Sequence, residues 1–338
     1  MGRLQLLVSA CAAALLLPGC LSDEAPPTTA VVQPNLTTVD GQVIPTAEAL
    51  ASGEAGLEVP VWKVGDYWEY NLGGVASGVN TFVVAAATGS SYELLTGEVD
   101  VAQYDAVHDI SFLGTINAAS LEGRQGDVPV RFLDFPLVDN KTWTTTWDGE
   151  EVTITAKLNR APANPFAGGL AFDMVVMNST GAETIRYQYA PAARWFTSLE
   201  FLNGGGGSFT LTLAKAGRGY RGEVYRGEAT PIAALDSTGG VPASAEGTFP
   251  VENETQTVYV SLGYGGLALA QANFLVDPTQ KVHELPTGPT VMNGGGYENF
   301  LPGVVGEWRY SFQFAGTPGS SGYGARLMVV SVTPVPVG

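Results

Sequence analysis

The chain has 338 residues, with 33 acidic and 16 basic side chains and a formal net charge of −17, a balance that argues against nucleic acid or anionic surfaces as main partners. A zinc site wants three or four Cys or His ligands, and the two histidines, His108 and His283, fall in separate predicted domains, so no convincing set is expected. No cofactor is expected from composition or motif.

Arg3 and the amino terminus make a short positive start, and Leu4 to Leu17 is an apolar run interrupted only by Gln5 and Ser9. A membrane-spanning helix needs about 20 apolar residues, so this shorter run reads as a secretory signal over residues 1–20. Its end, "LLLPGC", resembles a lipobox, the motif of bacterial and some archaeal lipoproteins. Leu17 stands three residues before Cys20 and Gly19 just before it, with Pro18 where a small or β-branched residue is usual. The resemblance implies that Cys20 becomes the first residue and takes a diacylglycerol on its thiol, each buried methylene adding about 0.8 kcal/mol of membrane affinity. Cys11 lies in the removed segment, so the mature chain keeps one cysteine and cannot form an intramolecular disulfide. The rival readings of this end are an intermolecular disulfide and an uncleaved signal anchor.

Residues 21–59 carry acids and no Lys, Arg or aromatic residue. Such a stretch cannot bury enough surface to offset its ordering entropy. It is expected to be a disordered tether holding the folded part roughly 35 Å from a membrane, with at most a transient helix in "TAEALASGEA".

From residue 60 onward period two replaces 3.6, the pattern of strands with one buried face. "KTWTTTWDGEEVTITAKL" reads as a hairpin about Asp148-Gly149. "AETIRYQYAP" sets Ile185, Tyr187 and Tyr189 against Arg186 and Gln188, and "SFTLTLAK" sets Phe209, Leu211 and Leu213 against Thr210 and Thr212. "EWRYSFQF" sets Trp308, Tyr310, Phe312 and Phe314 against Arg309, Ser311 and Gln313. "KVGDYWEYNL", "LVDNKTWTTTW" and "VVGEWRYSFQF" share a turn–tryptophan–strand theme. No amphipathic helix is expected after residue 60, and "AVHDISFLG" reads as strand-like. The alternation lapses over residues 229–247, which gather Gly, Pro, Ser and Ala and predict a linker. The expected fold is therefore all-β: an antiparallel curved sheet or half-barrel over residues 60–228, then a smaller β-sandwich over 248–338.

Two resemblances accompany this reading. "FPLVDNKTWTTTW" and "YQYAPAARWF" resemble the TapB-like group of secreted β-proteins of unknown function, through Pro136, Leu137, Trp143 and an aromatic-Tyr-x-Pro segment; Asp139-Asn140 replaces the usual turn glycine. The likeness covers residues 62–215 and implies an extracytoplasmic antiparallel sheet with no catalytic residue to carry over. "NFLVDPTQKV" and "LPGVVGEWRYSFQF" are similar to the pre-peptidase C-terminal type of β-sandwich, with Gln280 where a turn glycine is common. Such modules accompany other domains as accessory or binding units.

The search for chemistry returns little. A serine-hydrolase G-x-S-x-G and a phosphate-binding G-x-x-x-x-G-K are both missing. His108 is expected to be a hydrogen-bonded structural residue. Asp100, Asp105, Asp109 and the "DGEE" at 148–151 do not follow the tight spacing of a calcium loop. Lys215, Arg218, Arg221 and Arg226, interleaved with Tyr220 and Tyr225, are expected to pair with carboxylates rather than meet a phosphate headgroup or acidic glycan. Trp143 and Trp147 are expected in the core rather than on a sugar platform. Asn-x-Ser/Thr sequons stand at Asn35, Asn140, Asn178 and Asn253.

The sequence thus points to a non-enzymatic lipoprotein on the cell surface, outside the cytoplasm. It is anchored through Cys20 and presents a surface for a glycan, lipid or protein partner. A carrier of an apolar ligand in a half-barrel and a hydrolase of envelope or other polysaccharides remain alternatives.

Overall fold

Where the alternation is cleanest, it becomes strand with the apolar set inside. Ile185, Tyr187 and Tyr189 are buried on Glu183–Ala190, as are Trp308, Phe312 and Phe314 on Gly306–Ala315. The computed structural model describes residues 38–39, 42–74, 77–110, 112–202, 209–237, 242–265, 269–270, 273–285, 296–315 and 322–337. The protein is all-β, and its strands pair antiparallel. Cys20, the signal segment and Asn35 lie outside the described residues.

The chain forms two units. The N-terminal unit takes residues up to Ala102, Asp109–Arg226 and the end from Pro334, whereas the C-terminal unit takes Gln103–His108 and Gly227–Thr333.

In the N-terminal unit the strands lie in the order Ser91–Thr96, Gly78–Ala87, Tyr67–Gly74, Phe209–Gly217, Trp195–Phe201, Glu183–Ala190, Ala171–Met177, Glu150–Asn159 and Thr142–Trp147. Gly114–Asn117 pairs on the other side of Ser91–Thr96. This is an open sheet rather than a closed barrel. One face carries an aromatic core in which Trp62 meets Trp195 at 4.8 Å and Trp68 at 5.1 Å, and Phe132 meets Trp147 at 4.9 Å. Backbone carbonyls take up several of the polar ends here: Trp62 Nε1 donates to Arg194 O, Trp68 Nε1 to Ala193 O and Tyr70 OH to Phe196 O, whereas the buried Trp195 Nε1 has no partner among the described residues. The turn before Trp195, with Arg194 at φ 61°, thus supplies carbonyls to a buried aromatic cluster. On the other face Val83, Ala85, Leu95 and Val224 form a smaller cluster, covered by Tyr67, Tyr220, Val335 and Val337.

The C-terminal unit is a sandwich. Gly296–Pro302, Gln256–Gly265, Gly322–Val335 and Val224–Ser237 make one sheet, the last of these beginning in the N-terminal unit. Ala243–Val251, Gly306–Ala315, Phe274–Val276 and Val282–Glu284 make the other. Val258, Val260, Leu262, Leu327 and Val329 from the first sheet pack with Phe249, Leu275, Trp308, Phe312 and Phe314 from the second. Trp68, Trp143 and Trp308, the three tryptophans of the shared sequence theme, all stand near strand starts and are buried.

Four expectations are corrected. First, the tether does not run to residue 59. Ala47–Ser52 is a helix, capped at its start by Thr46, whose hydroxyl accepts from Ala49 N, and closed by Gly53 at φ 74°. Leu50 and Leu57 are fully buried in the N-terminal core, and Leu57 and Leu137 exchange backbone hydrogen bonds of 2.8 and 2.9 Å. Gly56 allows this approach, since a Cβ there would stand 2.5 Å from Pro136 Cβ. Second, Val99–His108 is a helix, not a strand. It buries only Ala102, so it has no apolar stripe for periodicity to find. Third, residues 229–247 are largely strand, within Val224–Ser237 and Ala243–Val251. Ala243–Val251 is an edge strand, the place in a sheet where a proline such as Pro250 is tolerated. Fourth, the two units are not contiguous in sequence, because Gln103–His108 and the residues from Pro334 group across the expected boundary.

Candidate functional site

The residues singled out in the sequence fall mostly into structural roles. Asp148 and Gly149 have φ of 51° and 75° and close the predicted hairpin, with Trp147 paired to Glu150. Trp143 and Trp147 face the core, and Trp143 Nε1 donates to Arg131 O at 2.9 Å. In the basic stretch Lys215 pairs with Glu69 at 3.2 Å, Arg218 with Asp66 at 3.3 Å and Arg226 with Glu93. Arg221 is exposed. Asp100 and Asp109 are exposed, and Asp109 accepts from Gly126 N. Among the described residues no group of His, Cys, Asp or Glu is arranged to hold a metal ion.

His108 ends its helix within the C-terminal unit, where Nε2 meets Glu298 Oε1. The imidazole lies on the Tyr104 ring at 4.1 Å and edge-on to Tyr259 at 5.9 Å. Burial, with Glu298 adding to it, pushes the Tyr259 hydroxyl far up. His283 stacks on Trp308 and reaches Asp277 Oδ2 at 3.1 Å. Burial works against the Asp277 charge, but Thr279, His283 and the amides of Lys281 and Thr279 outweigh it and hold its pKa down to about 2. Gln280 in this turn has φ 69°, the conformation a glycine would take. Both histidines are therefore tied into carboxylate–aromatic pairs.

The most developed polar cluster is one the sequence did not single out. Glu98, between the strand Ser91–Thr96 and the helix that follows, accepts from Thr81 N at 2.7 Å, Thr81 Oγ1 at 2.9 Å and Thr96 Oγ1 at 2.9 Å. Burial raises its pKa; the threonine bonds lower it and the Glu69 charge raises it. Glu69 lies directly across from Thr81 on one side and Lys215 on the other. Tyr220 sits near both carboxylates, its hydroxyl raised by burial and by the charges of Glu98 and Glu69. Two carboxylates in different environments are the raw material of acid–base chemistry. Here, however, Glu98 is occupied by three internal donors and Glu69 by an ammonium, so the arrangement works as a clamp between strands. Sequence could not find it, because Glu69, Thr81, Glu98 and Lys215 become neighbours only through strand pairing.

The remaining predicted residues are the sequons. Asn140 is exposed at a turn with φ 57°. Asn178 sits in a hairpin loop and Asn253 in the loop that passes from one sheet to the other, and the carbonyl oxygen of each accepts from the threonine two residues on.

Comparison with known proteins gives no family. No family model matches the chain, and no curated protein matches it. Solved structures that align include a protein crystallised with neoagarooctaose, at 10% identity and TM-score 0.22, covering 58% of this chain and 34% of that one. An exo-beta-1,3-galactanase from Phanerochaete chrysosporium aligns at 8% identity and TM-score 0.18, covering 77% of this chain and 68% of that one. A structure from the Gx strain of infectious bursal disease virus aligns at 10% identity and TM-score 0.20, covering 86% and 77%. The chain spans about a third of the length of the first of these. Likeness at this level carries no functional argument.

Proposed function

We propose that the protein is a lipid-anchored lipoprotein of the cell surface with a non-enzymatic binding or structural role. The observation that carries this reading is the place of Cys20, at the junction of a short apolar run and an acidic segment free of Lys and Arg. A thiol there is a lipid acceptor, and two acylated chains hold a protein to a bilayer where one does so only marginally. The two β units then stand outside the cytoplasm as the part that meets a partner. The TapB-like and pre-peptidase C-terminal resemblances agree with such a place.

Two features of the folded part support this reading over its rivals. The sheet face that would line a half-barrel carrier bears Trp62, Trp68, Trp195, Phe132 and Trp147 packed on one another. Glu69 and Glu98, two carboxylates in different environments, are engaged by Lys215 and the threonines.

The test is Cys20→Ser in the full chain, followed by membrane fractionation and mass analysis of the amino-terminal peptide. The wild type is expected in the membrane fraction with a lipid mass on Cys20, and the variant in the soluble fraction. Equal retention of both in the membrane would sink the anchor.

A further inference from the structure

The sequence offers sequons without ranking them, but the fold treats them differently. Asn178, Ser179 and Thr180 lie in the loop between the strands Ala171–Met177 and Glu183–Ala190. Asn178 Oδ1 accepts from Thr180 Oγ1 at 2.8 Å, from Thr180 N at 3.1 Å and from Ala182 N at 2.8 Å. In the other unit, Asn253, Glu254 and Thr255 lie in the loop between Ala243–Val251 and Gln256–Gly265, and all are exposed. Asn253 Oδ1 accepts from Thr255 Oγ1 at 2.6 Å and from Thr255 N at 3.1 Å. At both places the side-chain amide and the hydroxyl two residues on stand together, and neither Nδ2 donates a hydrogen bond among the described residues.

Asn140 is held differently. Thr142 is already in a strand, paired with Thr155, and its hydroxyl bonds Thr155 Oγ1 at 3.2 Å. Lys141 O accepts from Ala156 N at 2.8 Å, and Lys141 Nζ pairs with Asp134 Oδ2 at 2.9 Å. A transferase must take the asparagine and the hydroxyl residue into its own site. At 178–180 and 253–255 that breaks bonds local to a surface loop. At 140–142 it strips a ladder hydrogen bond and an ion pair from a formed hairpin.

We propose that Asn178 and Asn253 are N-glycosylation sites and that Asn140 is not. The donor is a sugar activated at its anomeric carbon as a phosphate ester of a membrane lipid. A bond forms between Nδ2 and that carbon while the carbon–oxygen bond to phosphate breaks. The lipid phosphate leaves with the electron pair, and Nδ2 gives one proton to a base of the transferase. The proposal rests on the surface reading above, because export brings the loops to the face of the membrane where such a transferase works.

The test is peptide mass spectrometry on the full chain, made in cells whose transferase demonstrably modifies a co-expressed Asn-x-Thr acceptor. Peptides bearing Asn178 and Asn253 are expected to carry added hexose-type mass. Each addition should vanish in its own variant, Asn178→Gln or Asn253→Gln, and in Thr180→Ala or Thr255→Ala, but persist in Thr180→Ser. Occupancy at Asn140 is expected to be lower by about fivefold, the effect of one further hydrogen bond that must be broken. Unmodified Asn178 and Asn253 in a membrane-bound protein would overturn this inference and leave the anchor standing. A protein retained in the cytosol would overturn both. Equal occupancy at Asn140 would refute the ranking.

Discussion

Asp66 is fully buried, and its carboxylate meets Arg194 Nη1 at 2.6 Å, Arg218 Nε at 3.3 Å and the Lys63 amide at 2.8 Å. Arg194 is itself buried, in the left-handed turn whose neighbouring carbonyls receive the indole N–H groups of Trp62 and Trp68. One buried carboxylate therefore meets two guanidiniums beside the aromatic core. Replacing such a pair by apolar residues is often harmless, but removing one partner leaves a bare charge out of water. Asp66→Ala is expected to destabilise the protein by about 3–5 kcal/mol, read as a fall in the denaturant midpoint. Glu69→Ala, which removes a half-exposed partner of Lys215, is the control and is expected to cost less than about 1 kcal/mol. Comparable losses in the two would show that Asp66 is not the organising charge.

At the scale of elements, the amino-terminal helix makes the sharpest claim. Leu50 and Leu57 precede the first strand of the main sheet yet are fully buried, and Asp139 N reaches Leu50 O at 3.3 Å. Burying a leucine is worth about 1.5–3 kcal/mol, so a chain beginning at residue 60 is expected to lose roughly 3–6 kcal/mol from these two side chains alone. A chain beginning at residue 42 is expected to keep the melting temperature of one beginning at residue 21. Equal melting of the two shortened chains would show that the helix adds nothing. The same contrast shows what could be read in advance. Strands announce themselves where alternation is complete, as in "YQY" and "WRYSFQF", because one face is buried along the whole element. The helices Ala47–Ser52 and Val99–His108 bury little more than Leu50 and Ala102 respectively, so neither has an apolar stripe that stands out from its polar or strand-like surroundings. Thr46 followed by a helix former and closed by Gly53 was a legible cap signal for the first. The Glu98 clamp left no trace in sequence, since threonines and carboxylates far apart in the chain meet only once Gly78–Ala87 pairs with its neighbours.

At the scale of the whole molecule, the start of the described fold bears on the proposed anchor. Thr38–Val39 already pairs with Gln42–Val43, so the described fold begins well before residue 59, where the expected tether ends. The sequence before the fold makes the proposed anchor testable, because after Arg3 the next basic residue is Lys63, while Asp23 and Glu24 follow Cys20 closely. A Glu-specific protease acting on intact membranes is expected to release the folded part by cutting at Glu24. Trypsin should not release it at the tether, for it has no site there, and Lys63 adjoins the buried Trp62 with its amide held by Asp66. The released fragment should begin at Ala25 by mass and melt as the mature protein does. If trypsin frees the protein as readily as the Glu-specific enzyme, the loop at Lys63 opens in the native state and the amino-terminal helix is not a fixed part of the fold. If neither enzyme frees it, attachment to the membrane runs through something other than Cys20.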